Sequence, residues 1–176
     1  MIVALFGLPG VGKTTLSNLI KNNSYINKKC QVVIRKLSYY VESEQGRKCT
    51  LEEINNFYKS KLEEEGPSYW ATRIINDSQD KILIIDGVWF TNELLYFSNS
   101  QFCHFIGVYL EEEKSILYER ACETTIRKNE DIFELKRVMD IIKSFDFSKF
   151  MQYATIRGHC DTQIYNNLQN LIIQNC

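Results

Sequence analysis

The residues best suited to chemistry form one glycine-rich segment near the start of the chain, Gly7-Leu8-Pro9-Gly10-Val11-Gly12-Lys13-Thr14. This spacing of two glycines, a lysine and a hydroxyl residue is the pattern of a phosphate-binding P-loop. The glycines let backbone N–H groups point at phosphate oxygens, and the start of the following helix adds partial positive charge. The segment therefore predicts a nucleoside triphosphate site, in which Lys13 reaches the β- and γ-phosphates and the Thr14 hydroxyl holds Mg²⁺.

The sequence around this loop supports the prediction, because an apolar run precedes it and a helical pattern follows it. ATP with Mg²⁺ is the expected cofactor, since no guanine-reading N-K-x-D motif is evident in the sequence. The residues expected to contact the nucleotide are those of the loop and the first helical turn: Gly7, Pro9, Gly10, Val11, Gly12, Lys13, Thr14 and Thr15.

A second chemical element is the segment Lys81-Ile82-Leu83-Ile84-Ile85-Asp86-Gly87. Its apolar residues predict a buried strand with Asp86 at the carboxyl tip. A carboxylate there can hold Mg²⁺ through water, beside Thr14. The alternative is an aspartate that caps a turn, because Asp-Gly is also turn chemistry.

Short apolar runs and helical patterns alternate along the chain, which predicts βαβ units, a parallel sheet and an α/β fold. Thr50 and Glu53 predict a capping box at one helix start. The predicted strands are Ile2–Phe6, Gln31–Arg35, Ile82–Ile85, Phe105–Leu110 and Gln163–Tyr165. The predicted helices are Lys13–Lys21, Ser38–Gln45, Leu51–Glu64, Pro67–Asp77, Thr91–Phe97, Glu112–Cys122, Ile132–Lys143 and Leu168–Ile173.

Composition indicates a soluble globular protein of 176 residues, with 44% apolar residues, 24% charged residues and a net charge of −1. This charge argues against a nucleic-acid binder that works through bulk electrostatics, although a local basic groove is compatible with it. No apolar run approaches the ~18 residues of a membrane span. None of the six cysteines forms a C-x-x-C pair, so we expect reduced thiols in a cytoplasmic protein.

These residues together resemble the P-loop nucleoside monophosphate kinase group. The likeness is to its archaeal-type adenylate-kinase-like and dephospho-coenzyme-A-kinase-like family. Nearly the whole chain is covered, including a helix start at Gly66-Pro67 followed by Arg73, and a late strand ending Ile164-Tyr165-Asn166. The resemblance implies a single domain, 1–176, with the three-layer P-loop NTPase fold and a five-stranded parallel sheet. It also implies a helical acceptor-binding region at about 38–79 and a lid at about 122–140.

The resemblance further implies ATP-dependent phosphoryl transfer to a small acceptor: a nucleotide, a deoxynucleotide or a coenzyme precursor. Arg127 and Arg137 would neutralise the transferred group from the lid, with Lys128 as a further candidate. Arg120 would lie near the donor base, and Arg73 would bind the acceptor. The alternative for each of these cations is a solvated helix charge or a surface ion pair.

The acceptor side departs from this family. Where such kinases place an arginine after Asp-Gly, the sequence reads Val88-Trp89-Phe90, and the early helix reads Ser38-Tyr39-Tyr40-Val41. Aromatic rings do not replace bidentate arginine–phosphate recognition. Trp89 and Tyr39 are candidates to stack on a planar acceptor, or they pack in the core and rim. The acceptor is then bound by other cations, such as Arg35, Arg47 or Arg73, or it is not a simple monophosphate.

Three functions are compatible with these observations. The first is a small-molecule kinase. The second is a nucleotide-binding regulatory or interaction protein, derived from such a kinase, that has lost acceptor recognition. The third is a P-loop kinase acting on a nucleic-acid end, against which the slightly acidic charge counts.

Overall fold

The computed structural model describes residues 1–88, 90–101, 104–128 and 132–175. Its centre is a five-stranded parallel sheet in the order β2-β3-β1-β4-β5. The strands are β1 (Ile2–Phe6), β2 (Gln31–Arg35), β3 (Lys81–Asp86), β4 (Phe105–Leu110) and β5 (Ile156–Gly158).

Helices cover both faces of the sheet. They are α1 (Lys13–Lys21), α2 (Ser24–Lys29), α3 (Leu37–Gln45), α4 (Leu51–Glu65), α5 (Tyr69–Asp77), α6 (Thr91–Asn99), α7 (Lys114–Lys128), α8 (Ile132–Ser144) and α9 (Thr162–Gln174), with a 3-10 helix at Ser148–Tyr153. In β1, alternate residues enter two separate apolar cores, because successive strand side chains point to opposite faces. Ile2 and Ala4 pack with α3 to α6, whereas Val3 and Leu5 pack with α1, α7, α8 and α9.

The predicted α/β fold with a parallel sheet is confirmed. Strands β1, β2 and β4 and helix α1 have the predicted ends. The predicted capping box at the start of α4 is present: the Thr50 hydroxyl accepts from the Glu53 N–H at 3.3 Å, and the Glu53 carboxylate accepts from the Thr50 N–H at 2.7 Å. Helices α3, α4 and α5 occupy the predicted acceptor region.

The prediction of a fifth strand at Gln163–Tyr165 is wrong, and so is a strand ending Ile164-Tyr165-Asn166. These residues form the first turns of α9, where the Asp161 side chain accepts from the Ile164 N–H at 2.9 Å. Ile164, Leu168 and Ile172 are buried at helical spacing. The fifth strand lies earlier, at Ile156–Gly158, and its three residues are too few to give an alternating or continuous apolar pattern.

Two further elements carry no strong sequence signal. Helix α2 buries only Ile26, and the Asn23 side chain caps it by accepting from two backbone N–H groups. The 3-10 helix fixes Phe150 in the core. Among the described residues, none of the helices is both long and apolar enough to cross a membrane.

Candidate active site

The P-loop joins the central strand β1 to helix α1, so its position is set by the middle of the sheet. Lys13 folds back along the loop, and its Nζ donates to the carbonyls of Gly7 and Leu8, both at 2.8 Å. Burial lowers the pKa of Lys13, Asp86 opposes the shift and the charge of Lys36 adds to it, which together place the pKa at about 8. An anionic phosphate close to this ammonium would raise the pKa of Lys13 again.

Gly12 makes a close approach to a distant part of the chain. Its φ of 99° is left-handed, a region that L-residues with a side chain rarely adopt. A Cβ at this position would lie 2.6 Å from Cys160 Cβ and 2.7 Å from its Sγ. The segment after β5 therefore packs against the P-loop, and only glycine fits between them.

The structure brings Thr14 and Asp86 together. Asp86 ends β3, which pairs with β1 through Leu5 opposite Asp86. The Thr14 hydroxyl donates to Asp86 Oδ2 at 2.7 Å, and the Asp86 side chain is only 3% exposed. A hydroxyl oxygen and a carboxylate oxygen side by side are hard donors of the kind Mg²⁺ prefers. These two residues fit a magnesium ion, and water and phosphate oxygens would supply its remaining ligands.

Lys36 is a third charged residue at this point, and sequence reasoning missed it. Strands β2 and β3 pair with Arg35 opposite Ile85. Lys36, the residue after β2, therefore lies beside Asp86, the last residue of β3. The Lys36 ammonium is 3.9 Å from Asp86 Oδ2, with 62% of the lysine side chain exposed. The available signal was positional, because Lys36 directly follows a predicted strand on the edge that faces the phosphates.

An open cleft of about 700 Å³ contains these groups. One wall is the P-loop and the start of α1, and the opposite wall is the start of α3 and one face of α4. The lining residues are Pro9, Gly10, Gly12, Lys13, Thr14, Thr15, Lys36, Leu37, Ser38, Ile54, Asn55, Asp86, Gly87 and Thr124. Two other predicted loop residues, Gly7 and Val11, lie behind the cleft wall. The Gly7 carbonyl accepts from Lys13, and the Val11 side chain is buried.

Arg120, predicted near the donor base, lies against the P-loop. Its guanidinium donates to the Gly10 carbonyl at 3.0 Å and to Glu112 at 3.1 Å. Glu112 also lies 3.4 Å from His159 Nδ1, after strand β5. The arginine therefore ties α7 to the outer edge of the loop.

Comparison with known protein families gives one match, a model described as an AAA domain, over residues 3–138. The chain belongs to the AAA domain family. The matched range contains the P-loop, Lys36 and Asp86. Comparison with curated protein sequences finds no match.

Solved structures with the same fold as this AAA domain include two shikimate kinases. The shikimate kinase from Acinetobacter baumannii in complex with shikimate is 15% identical, with a TM-score of 0.55 over 99% of this chain and 93% of that chain. The shikimate kinase from Bacteroides thetaiotaomicron is also 15% identical, with a TM-score of 0.59 over 98% of this chain and 98% of that chain. Chaetomium thermophilum Kti12 in complex with ADP-AlF3 is 10% identical, with a TM-score of 0.59 over 99% of this chain and 98% of that chain. At these identities the likeness is one of fold, and the AAA domain has a P-loop kinase-like fold.

On the acceptor side of the AAA domain, Arg73 and Tyr39 do not line the cleft. Arg73 donates to Glu44 at 2.6 Å and to the Tyr69 hydroxyl at 3.1 Å. The Tyr39 ring lies 4.3 Å from the Arg35 guanidinium.

Four other predicted residues of the AAA domain lie outside the described part of the structure. Trp89 does so entirely, as do the side chains of Arg127, Lys128 and Arg137. Their roles at the lid and the acceptor stay predictions.

Proposed function

We propose that this AAA domain protein is an ATP- and Mg²⁺-dependent kinase that transfers a γ-phosphoryl group to a small-molecule acceptor. Nucleotides, deoxynucleotides and coenzyme precursors are the acceptor classes that the sequence resemblance suggests. The observation that carries the proposal is the 2.7 Å contact between Thr14 and Asp86 beside Lys13. A P-loop lysine, a hydroxyl and a strand-end carboxylate in one open cleft are the parts that phosphoryl transfer requires.

Each residue of the donor side has a distinct task in this function. The loop N–H groups cradle the phosphates, and Lys13 turns from its own loop carbonyls to the β- and γ-phosphates. Mg²⁺, held by Thr14 and the Asp86 carboxylate, would neutralise charge on the γ-phosphoryl group. Arg120 would border the donor nucleotide, because it already contacts Gly10.

The remaining predicted residues belong to the lid and the acceptor. We propose Arg127 and Arg137 as lid cations that reach the transferred group when the cleft closes, and closure would exclude water. Arg73, Tyr39 and Trp89 are proposed for the acceptor, on the ground of the sequence resemblance. The two shikimate kinases of the same fold support a small-molecule acceptor over a nucleic-acid end.

A second candidate is a nucleotide-binding regulatory protein that has lost acceptor recognition. One observation favours it: the three arginines named as candidate acceptor cations each lie within ion-pair distance of a carboxylate. The pairs are Arg35 with Asp77, Arg47 with Glu53 and Arg73 with Glu44. An acceptor phosphate would have to compete with these carboxylates for the same guanidinium groups.

ADP release from Mg-ATP separates the two candidates. The panel contains ribo- and deoxynucleoside monophosphates, dephospho-coenzyme A, shikimate and a sample without acceptor, with Lys13→Ala as the inactive control. Turnover that depends on one acceptor class and disappears in the variant supports the kinase. Tight ATP binding with acceptor-independent, negligible turnover across the panel supports the regulatory protein.

A further inference from the structure

Lys36 lies where the acceptor wall of the cleft meets the proposed metal site. It is the residue between β2 and α3, and it lines the cleft together with Leu37 and Ser38. Its ammonium lies 3.9 Å from Asp86 Oδ2. Because the register of β2 on β3 sets this proximity, the position of Lys36 is a property of the sheet and not of a mobile loop.

The exposure of the two partners is unequal. The Lys36 side chain is 62% exposed, whereas that of Asp86 is 3% exposed. The ammonium is therefore still largely hydrated and can leave Asp86 at little cost in desolvation. The buried carboxylate cannot follow it, so Lys36 is the movable member of the pair.

Lys36 also differs from the arginines around it. Arg35, Arg47 and Arg73 each have a carboxylate partner away from the P-loop. Lys36 instead shares Asp86 with the Thr14 hydroxyl. When Asp86 binds a metal ion, the attraction between Asp86 and Lys36 is weakened. The nearest anionic group for the Lys36 ammonium is then a phosphate bound in the cleft.

The electrostatics of the cleft agree with this arrangement. Lys36 and Lys13 both line the cleft, and the charge of Lys36 contributes to lowering the pKa of Lys13. Two ammonium groups that repel one another near a single buried carboxylate form a site for a group with several negative oxygens. The γ-phosphoryl group spreads its charge over three such oxygens.

We propose that Lys36 is a second γ-phosphoryl cation of this site, approaching the transferred group from the acceptor wall while Lys13 approaches it from the P-loop. This inference rests on the proposed kinase function. During transfer, an acceptor oxygen bonds to the γ-phosphorus as the bond to the β,γ-bridging oxygen breaks, and ADP leaves with that electron pair. Lys36 stays protonated and donates to oxygens of the transferred group. A hydroxyl acceptor would release its proton to water.

Asp86 ends β3 at the carboxyl edge of the sheet. Lys36 supplies a cation at the same carboxyl edge of the sheet, one strand further out. As a compact point charge on a flexible stem, lysine suits a tetrahedral oxyanion that is moving between two partners.

Isothermal titration with Mg-ADP and with Mg-AMP-PNP tests the proposal, because the two nucleotides differ by the γ-phosphoryl group. The proteins are the wild type, Lys36→Ala, Lys36→Arg and the control Lys48→Ala, which removes a 93% exposed lysine paired with Glu42. Lys36→Ala should weaken AMP-PNP binding about 10-fold, the worth of one charge-assisted hydrogen bond, and ADP binding by less than about 2-fold. Lys36→Arg should recover part of the loss, and Lys48→Ala should match the wild type.

Two results would overturn the assignment. Equal loss of ADP and AMP-PNP affinity would make Lys36 a support for Asp86 or the loop. Unchanged affinity for both nucleotides would show that Lys36 does not contact the γ-phosphoryl group, whether or not the KM for the acceptor rises. Far-UV circular dichroism checks that the variants are folded. The binding arm needs no acceptor, so a protein that shows the Lys36 effect but phosphorylates nothing would refute the kinase and keep the γ-phosphoryl contact.

Discussion

The donor and acceptor sides of the cleft are built in different ways. The donor side is a continuous loop whose own backbone points at the phosphates, anchored between the central strand and the first helix. The acceptor side is assembled from β2, α3, α4 and α5, and its arginines are engaged by Asp77, Glu53 and Glu44. A site made from contiguous backbone is visible in sequence, whereas a site made from dispersed side chains depends on partners that only the fold brings together.

The largest effect should come from the donor side, with Lys13→Ala. The variant loses the cation that meets the β- and γ-phosphates, so turnover should fall by at least about 100-fold. The fold should persist, because the Lys13 bonds to the Gly7 and Leu8 carbonyls lie within the loop and join no separate elements. ADP release and a thermal melt measure the two quantities. If Lys13→Ala turned over at the wild-type rate, the P-loop lysine would have no role in the reaction.

Gly12→Ala tests whether nucleotide binding on the donor side depends on the backbone conformation of the P-loop. The new Cβ meets Cys160, and the left-handed φ adds about 1 kcal/mol of strain. Nucleotide affinity should fall about 10-fold or more, because the loop must shift away from Cys160. Fluorescent-ADP titration measures this loss.

The double variant Gly12→Ala with Cys160→Gly is the matched control for that experiment. It removes the contact but keeps the φ strain, so it should recover part of the affinity and not all of it. A double variant as weak as the single one would show that Cys160 does not set the loop position.

Glu93 of α6 is a buried carboxyl group that faces helix α4 of the acceptor side. It is 3% exposed, and burial raises the pKa of Glu93 to about 8, while the facing Tyr58 hydroxyl of α4 opposes the shift. In the unfolded chain, Glu93 ionises near the ordinary glutamate pKa of 4.5. The free energy of unfolding should therefore decrease as pH rises from 4.5 to about 8, at up to about 1.4 kcal/mol per pH unit, and level off above that.

Glu93→Gln should remove this pH dependence and be more stable than the wild type at pH 8. Urea denaturation across the pH range measures it. Glu63→Gln, at an exposed position on α4, is the control and should keep the wild-type slope. An unchanged slope in Glu93→Gln would mean that the carboxyl ionises without cost in the folded protein.

The smallest effect should come from Glu44→Gln, which weakens the acceptor-side contacts to Tyr69 and Arg73. Stability should fall by about 1 kcal/mol, because one partly buried carboxylate serves two donors. Glu64→Gln breaks the more exposed pair with Lys61 and should cost less than about 0.5 kcal/mol. Equal losses in urea denaturation would show that the Glu44 contacts do not brace α3 against α5.

The fold was largely predictable where strands are buried on both faces, because β1, β3 and β4 read as continuous apolar runs. It was not predictable at β5, since Ile156–Gly158 contributes one buried residue and three positions in all. The apolar residues of α9 were mistaken for a strand because Ile164 begins a helical pattern that a short window cannot distinguish.

The site divides along the same line. The pairing of Thr14 with Asp86 follows from adjacent parallel strands whose carboxyl ends share an edge. Lys36 lies on that edge too, but its significance needs the register of β2 on β3. The engagement of Arg73 with Glu44 joins two helices, and no local pattern in the sequence reports which cation such a carboxylate will take.

The central position of β1 has a consequence for how the protein folds. The contact between Thr14 and Asp86 closes a loop of 72 residues, and that between Gly12 and Cys160 spans 148. Contacts of such sequence separation form slowly, since chain entropy must be lost before they can stabilise anything. A nascent chain therefore carries the glycine-rich segment long before it has a pocket. Because the nucleotide binds only the folded site, its binding would stabilise the whole sheet at a late stage of folding.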